Sequence, residues 1–247
     1  MRYTEGMKLP TFNKERACRD DLKMLPVGVD EAGRGPLAGP VVASAVVYKD
    51  IGFEIPLSLV KEFALIRDSK TLSEKQREQA FALVQEHFYV GIGIVSAETI
   101  DRVNILQATF LAMKGALSDL KRHLPKDAAE LHLLLDGNQL LPSYSSSQEA
   151  VVSGDSEVRS IAAASIIAKV TRDHMLDEYE SLYPQYGFAK HKGYGTKVHM
   201  DALRKYGPTP IHRLSFKPVK LALPENANRR FERDLKPKRG SRVAKSQ

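Results

Sequence analysis

Tryptophan is absent from the 247 residues, and cysteine occurs once, at Cys18. A lone thiol excludes an internal disulfide framework and fits a reducing compartment. No run of about 18 apolar residues exists, so a simple membrane-spanning helix is excluded. The segment Met1–Lys23 is polar with mixed charge, lacking the apolar stretch of a secretory signal. A cytoplasmic location is therefore expected.

What is present is ordinary in bulk and uneven in placement. A hydrophobic content of 43% with 27% charged residues describes a globular chain, long enough for one large domain with a small appendage. Its net charge of +7 is not spread evenly. Residues 186–224 carry eight Lys/Arg against Asp201 alone, and residues 225–247 carry eight more against Glu225, Glu232 and Asp234. Residues 1–185 are net acidic. An acidic body joined to a basic C-terminal quarter suits a polyanion held by one part and processed by another. For 225–247 alone, a solvated flexible tail is the simpler reading.

Periodicity predicts an α/β chain. Residues 1–25 form an N-terminal extension with a short helix around Lys14–Met24. Strands are expected at Val27–Asp30, Val41–Tyr48, Phe88–Val95, Leu131–Asp136 and Glu149–Val152, the first two paired antiparallel. Helices are expected at 57–66, from Ser73 to His87, from Ser96 to about Arg122, from Ser156 to about Leu182, and over Lys197–Tyr206. Small residues at Ile161–Ala168 predict a helix that crosses close to the sheet. The body spans 26–184, a basic helical part spans 185–224, and the tail follows.

Three predicted strands end in carboxylates: Asp30-Glu31, Asp136 and Asp155. Strand ends of one sheet gather in space, so these four can converge although distant in sequence. Oxygen donors without a Cys/His cluster suit Mg²⁺ or Mn²⁺ rather than zinc. Two such ions would support phosphodiester hydrolysis by activating water and stabilising the leaving oxygen. Simpler readings exist for some members: Asp136-Gly137 as a turn, Asp155 as a helix cap, and Asp173 as an ion-pair partner of the adjacent Arg172. Gly33-Arg34-Gly35 with Gly39 imitates a dinucleotide fingerprint, but that motif opens a helix, and here Pro36, Pro40 and a β-branched run predict a strand.

The stretch Asp30-Glu31-Ala32-Gly33-Arg34-Gly35-Pro36-Leu37-Ala38-Gly39-Pro40 resembles the signature of type 2 ribonuclease H, the bacterial ribonuclease HII family. Asp68-Ser69-Lys70-Thr71-Leu72-Ser73, Asp136-Gly137-Asn138, Ile161–Asp173, His191-Lys192-Gly193-Tyr194-Gly195-Thr196 and His212-Arg213-Leu214-Ser215-Phe216 extend the resemblance over about 27–220. It implies a ribonuclease H-like fold, a mixed five-stranded sheet flanked by helices with a C-terminal helical subdomain. It also implies cleavage of RNA in RNA–DNA hybrids and nicking 5′ of single ribonucleotides in duplex DNA, leaving 3′-hydroxyl and 5′-phosphate ends; separately, a monomer is expected. By the same resemblance, Asp30, Glu31, Asp136 and Asp155 match metal-binding carboxylates, and Gly33, Arg34 and Gly35 match a loop that reads the 2′-hydroxyl. Tyr194 matches a tyrosine that stacks on the adjoining deoxyribose, and Lys70, Lys192 and Thr196 match phosphate contacts. Ser153 departs from the resemblance, which places a lysine there, so weaker local phosphate attraction is expected. A reading from another class is a non-catalytic hybrid-binding module using 186–247.

Overall fold

The computed structural model describes residues 9–223. Five strands, β1 (Leu25–Ala32), β2 (Val41–Tyr48), β3 (Phe88–Val95), β4 (Leu131–Asp136) and β5 (Ser147–Val151), form one mixed sheet in the order β3-β2-β1-β4-β5. β1 pairs antiparallel with β2 and β2 with β3, while β4 runs parallel to both β1 and β5. β1 is longer than the predicted Val27–Asp30, because Glu31 and Ala32 continue the ladder opposite Ala43 and Val42. β5 begins two residues earlier than expected. All eight residues of the β-branched β2 are buried, as befits an inner strand covered on both faces.

Helices α1 (Asn13–Ala17), α2 (Val60–Phe63), α3 (Glu74–His87), α4 (Ala97–Val103), α5 (Ile105–His123), α6 (Gly154–Glu157) and α7 (Arg159–Leu182) surround the sheet. α8 (Phe188–His191), α9 (Lys197–Tyr206) and α10 (Lys217–Ala222) follow. Ser73 and Gln76 close a capping box at the start of α3. The single helix expected over 96–122 is two: Asn104 takes φ 70° between α4 and α5, and its side chain caps α5 by accepting from Gln107 N. The one expected from Ser156 is interrupted at Val158, whose backbone is extended, so α6 is a separate turn. The 57–66 segment is helical only over α2 and the preceding turn Leu57–Leu59. Among the described residues no helix is long and apolar enough to cross a membrane.

Alternation along the strands sorts the core. Val27, Val29, Leu133 and Leu135 face α5 with Ala112, Ala116 and Leu120. The opposite face packs on α7 through Val46, Tyr48, Ala163 and Ile167, with α3 adding Ala80 and Val84. Gly28 sits where α7 crosses: a Cβ there would lie 2.2 Å from the carbonyl carbon of Ser160. Only glycine admits that approach. Leu37 and Ala38, in the loop between β1 and β2, are buried against Leu203, Val219, Leu176, Tyr186 and Phe188. That loop is thus the seam between the sheet and the C-terminal helices.

Candidate active site

Parallel pairing of β1 and β4 puts Val29 opposite Leu135, so Asp30 and Asp136 follow on the next rung at one end of the sheet. Asp30 lies on the α7 face and is 5% exposed. Asp155, 6% exposed, is carried by α6 just past β5. Ser153 turns the chain there with φ 56°, and Gly154 N–H donates to Asp136 Oδ1 at 2.8 Å, joining the two segments. Glu31 follows Asp30 on the same ladder, its own N–H donating to Asp30 Oδ1 at 2.7 Å.

Two of the four carboxylates have a cationic partner. Arg34 Nη1 lies 3.2 Å from Glu31 Oε1, and Lys70 Nζ lies 3.5 Å from Asp155 Oδ2. Among the described residues, no three His, Cys, Asp or Glu side chains surround a common point as a ready-made metal site. The electrostatics still describe a cluster. Burial pushes the Asp30 carboxyl well above the usual range, with Glu31 and Asp136 adding repulsion, while the Glu31 N–H and Ser165 oppose the rise. Burial raises Glu31 too, partly offset by Arg34. It raises Asp155, where Asp136 adds to the rise and Lys70 opposes it. At Lys70, burial works against the ammonium but Asp155, Asp68 and Asp30 outweigh it. Buried, mutually repelling oxygen donors with so little countercharge fit a hard divalent cation.

The adjoining loop is held from beneath by two buried arginines. Arg213 donates to the carbonyls of Gly33, Arg34, Gly39 and Pro40, the last three at 3.0–3.1 Å. Arg172 donates to Pro40 O and Ala38 O at 3.0 Å and to Lys192 O at 2.9 Å. Gly33 has φ 98°, and a Cβ there would collide with Arg172 Nε at 2.2 Å. The ion pair expected between Asp173 and Arg172 is therefore absent; Asp173 pairs with Lys169 at 2.7 Å, one helical turn away, while Arg172 points into the loop. Neither arginine stands out by residue type alone. Their signal is position, a cation inside a tightly packed helix and another beside the buried His212.

Tyr194 is half exposed, its ring beside Gly35, where a Cβ would sit 3.6 Å from Tyr194 Cε1. Lys192 has its ammonium on Asp177, and Thr196 caps α9 by accepting from His199 N. Ser165, within the apolar face of α7, shares a 2.9 Å hydrogen bond with Ser69. Through it the Asp68–Ser73 segment reaches Asp30. Reading by charge alone missed these serines.

A mixed sheet whose carboxylates gather at one end under a long crossing helix defines a ribonuclease H-like, metal-dependent nuclease. The Ribonuclease HII family profile matches residues 27–219. Ribonuclease HII of Fusobacterium nucleatum subsp. nucleatum is 48% identical over 191 residues, 77% of this chain and 84% of the relative. The crystal structure of the ribonuclease H2 from Pyrococcus horikoshii OT3 superposes with TM-score 0.60 at 24% identity, covering 85% of this chain and 99% of that one. Bst-RNase HIII in complex with Mn²⁺ superposes with TM-score 0.59 at 16% identity, covering 84% and 71%. The two structures share the fold. The chain belongs to the ribonuclease HII family. It is a metal-dependent endoribonuclease acting on RNA–DNA duplexes.

Proposed function

We propose that this protein hydrolyses the RNA strand of RNA–DNA hybrids and also nicks 5′ of single ribonucleotides in duplex DNA, leaving 3′-hydroxyl and 5′-phosphate ends. The observation that carries this reading is adjacency: the carboxylate cluster, the Gly33–Gly35 loop and the Tyr194 ring share one surface. Asp30, Glu31, Asp136 and Asp155 hold the divalent ions, Mg²⁺ or Mn²⁺. Two bound ions would supply Lewis-acid activation of water and stabilise the leaving oxygen.

The chain's own groups choose the phosphate. With Arg213 taking the carbonyls of Gly33 and Arg34, the backbone N–H groups of the Gly33–Gly35 stretch are the ones offered to a 2′-hydroxyl, the group that separates RNA from DNA. Tyr194 packs on the adjoining deoxyribose, where an added 2′-hydroxyl would not fit. Lys70 attracts phosphate toward Asp155, and Thr196 lies at the start of α9. Lys192 would exchange Asp177 for phosphate. Residues 26–184 act as the catalytic part and 185–224 as the basic substrate-binding part of a cytoplasmic monomer. The N-terminal residues 1–8 and the proposed tail 225–247 lie outside the described residues.

The test is incubation with duplex DNA carrying one ribonucleotide, with Mg²⁺, with Mn²⁺ and with EDTA. A nick 5′ of the ribonucleotide that EDTA abolishes is expected. A non-catalytic binder would instead hold its affinity in EDTA and make no product. Asp136→Asn removes a ligand charge at nearly constant volume and is expected to abolish nicking with the melting temperature little changed. Near-parental turnover would refute the role given to Asp136.

A further inference from the structure

Three histidines lie buried beneath Tyr194: His191 is 9% exposed, His199 0% and His212 2%. An amide can only donate, so Thr209 N–H donates to His212 Nδ1 at 2.9 Å. The neutral ring then carries its hydrogen on Nε2 and donates it to His199 Nε2 at 3.0 Å. His199 must hold its own hydrogen on Nδ1, and donates it to the Tyr194 carbonyl at 2.9 Å. His191 is set in the opposite sense: Gly193 N–H donates to its Nδ1 at 3.2 Å, so its Nε2 donates to Tyr186 O at 2.7 Å. Every ring nitrogen is used, and one tautomer of each ring satisfies them all.

The chain of bonds connects to the substrate-reading loops. The His191 and His199 rings stack at 4.6 Å and 10°, enclosed by Tyr186 and Phe188. Tyr194 N–H donates to His191 O, and Leu37 N–H donates to Gly193 O. His212 bridges to Ala38, and Arg213 N–H donates to Leu37 O. Burial lowers His199 and pulls His212 down to about 3, so these two rings stay neutral in the working range. An exposed aromatic between Gly193 and Gly195 has little intrinsic stiffness. A side chain that must tell ribose from deoxyribose needs its backbone held.

We infer that the His212–His199 hydrogen-bond chain fixes the backbone of Tyr194 against the 33–40 loop, making His199 a positioning residue for recognition of the ribonucleotide junction. The inference rests on the junction role proposed above for Tyr194.

Two substitutions separate positioning from packing. His199→Asn keeps an amide donor where Nδ1 stood, while His199→Gln keeps a group facing His212 and withdraws the donor from Tyr194. The readout is the ratio of kcat/KM on duplex DNA with one ribonucleotide to kcat/KM on a continuous RNA–DNA hybrid, with melting temperature measured alongside. His199→Gln is expected to lower the ratio about fivefold, the scale of one missing neutral hydrogen bond, in the direction of Tyr194→Ala, while His199→Asn restores it to within about twofold of the parent. Equal ratios in His199→Gln and the parent, or parallel losses on both substrates in both variants, would overturn the inference. If Tyr194→Ala leaves the ratio unchanged, the junction reading of Tyr194 falls as well; if it collapses the ratio and His199→Gln does not, only the inference falls. Ring-nitrogen NMR of the parent gives an independent answer even if the variants do not fold. It should show His199 as the Nδ1–H tautomer with His191 and His212 as Nε2–H; a cationic ring or the reverse tautomer at His199 would sink the proposal.

Discussion

Asp30 is held at odds with its surroundings, since burial and the charges of Glu31 and Asp136 all disfavour its ionised form. A carboxyl raised above its unfolded value of 3.8 binds more protons in the native state. Its stabilising contribution is full below that value and is lost as pH rises through the folded pKa. In the metal-free protein Asp30→Asn is therefore expected to raise the melting temperature at neutral pH, by about 2–4 °C per kcal/mol of relieved repulsion, while removing activity. The gain should vanish near pH 3.8. A variant that melts below the parent in EDTA at neutral pH would contradict this account. The adjacent Asp30-Glu31 pair was legible in the sequence because two neighbouring carboxylates at the end of an apolar strand are explained neither by capping nor by solvation. Arg172 and Arg213 were not legible as loop anchors. Their partners are backbone carbonyls, which carry no residue signature, and burial pulls them to about 10 and about 9, leaving both cationic at neutral pH.

The spacing between β1 and α7 decides where these groups stand. It is set by Gly28 against Ser160, with Ser165 about one and a half turns further along α7 toward Asp30. Gly28→Ala must push backbone against backbone, so a loss of about 1–3 kcal/mol is expected, with a melting temperature lower by several degrees. Thermal unfolding checks it, and an unchanged melting point would show that α7 can move away freely. The β-branched runs made the strands readable, and the Ser73 capping box made α3 readable. The break at Asn104 was hidden because the apolar spacing continues across it from Ile100 to Ile105. The separate α6 was hidden too, since helical composition runs through Val158 while its backbone is extended.

At the scale of the molecule, charge is divided between an acidic cluster at the sheet end and the basic residues beyond 185. In the function proposed above, a duplex drawn by the basic part would relieve the repulsion among its own cations and bring a phosphate to the carboxylates. Removing 225–247, with its eight Lys/Arg, is expected to weaken hybrid binding without moving the cut. The dependence of binding on salt should flatten by roughly 0.9 for each phosphate the shortened chain no longer neutralises. Binding measured across a salt series, with products sized on a gel, checks both parts. A shifted cut would show that the tail reads the substrate.

The sequence by itself determined the strand pattern and the family to which the chain belongs, because periodicity and short contiguous motifs are local properties. Tertiary structure decided the rest. Only parallel pairing brings Asp30 and Asp136 to one edge, and only a close α7 crossing links Ser165 to Asp30. Hydrogen-bond direction, running from Thr209 through His212 and His199 to Tyr194, is a property of groups that meet in space. A linear pattern cannot state which atom must donate until its neighbour has arrived.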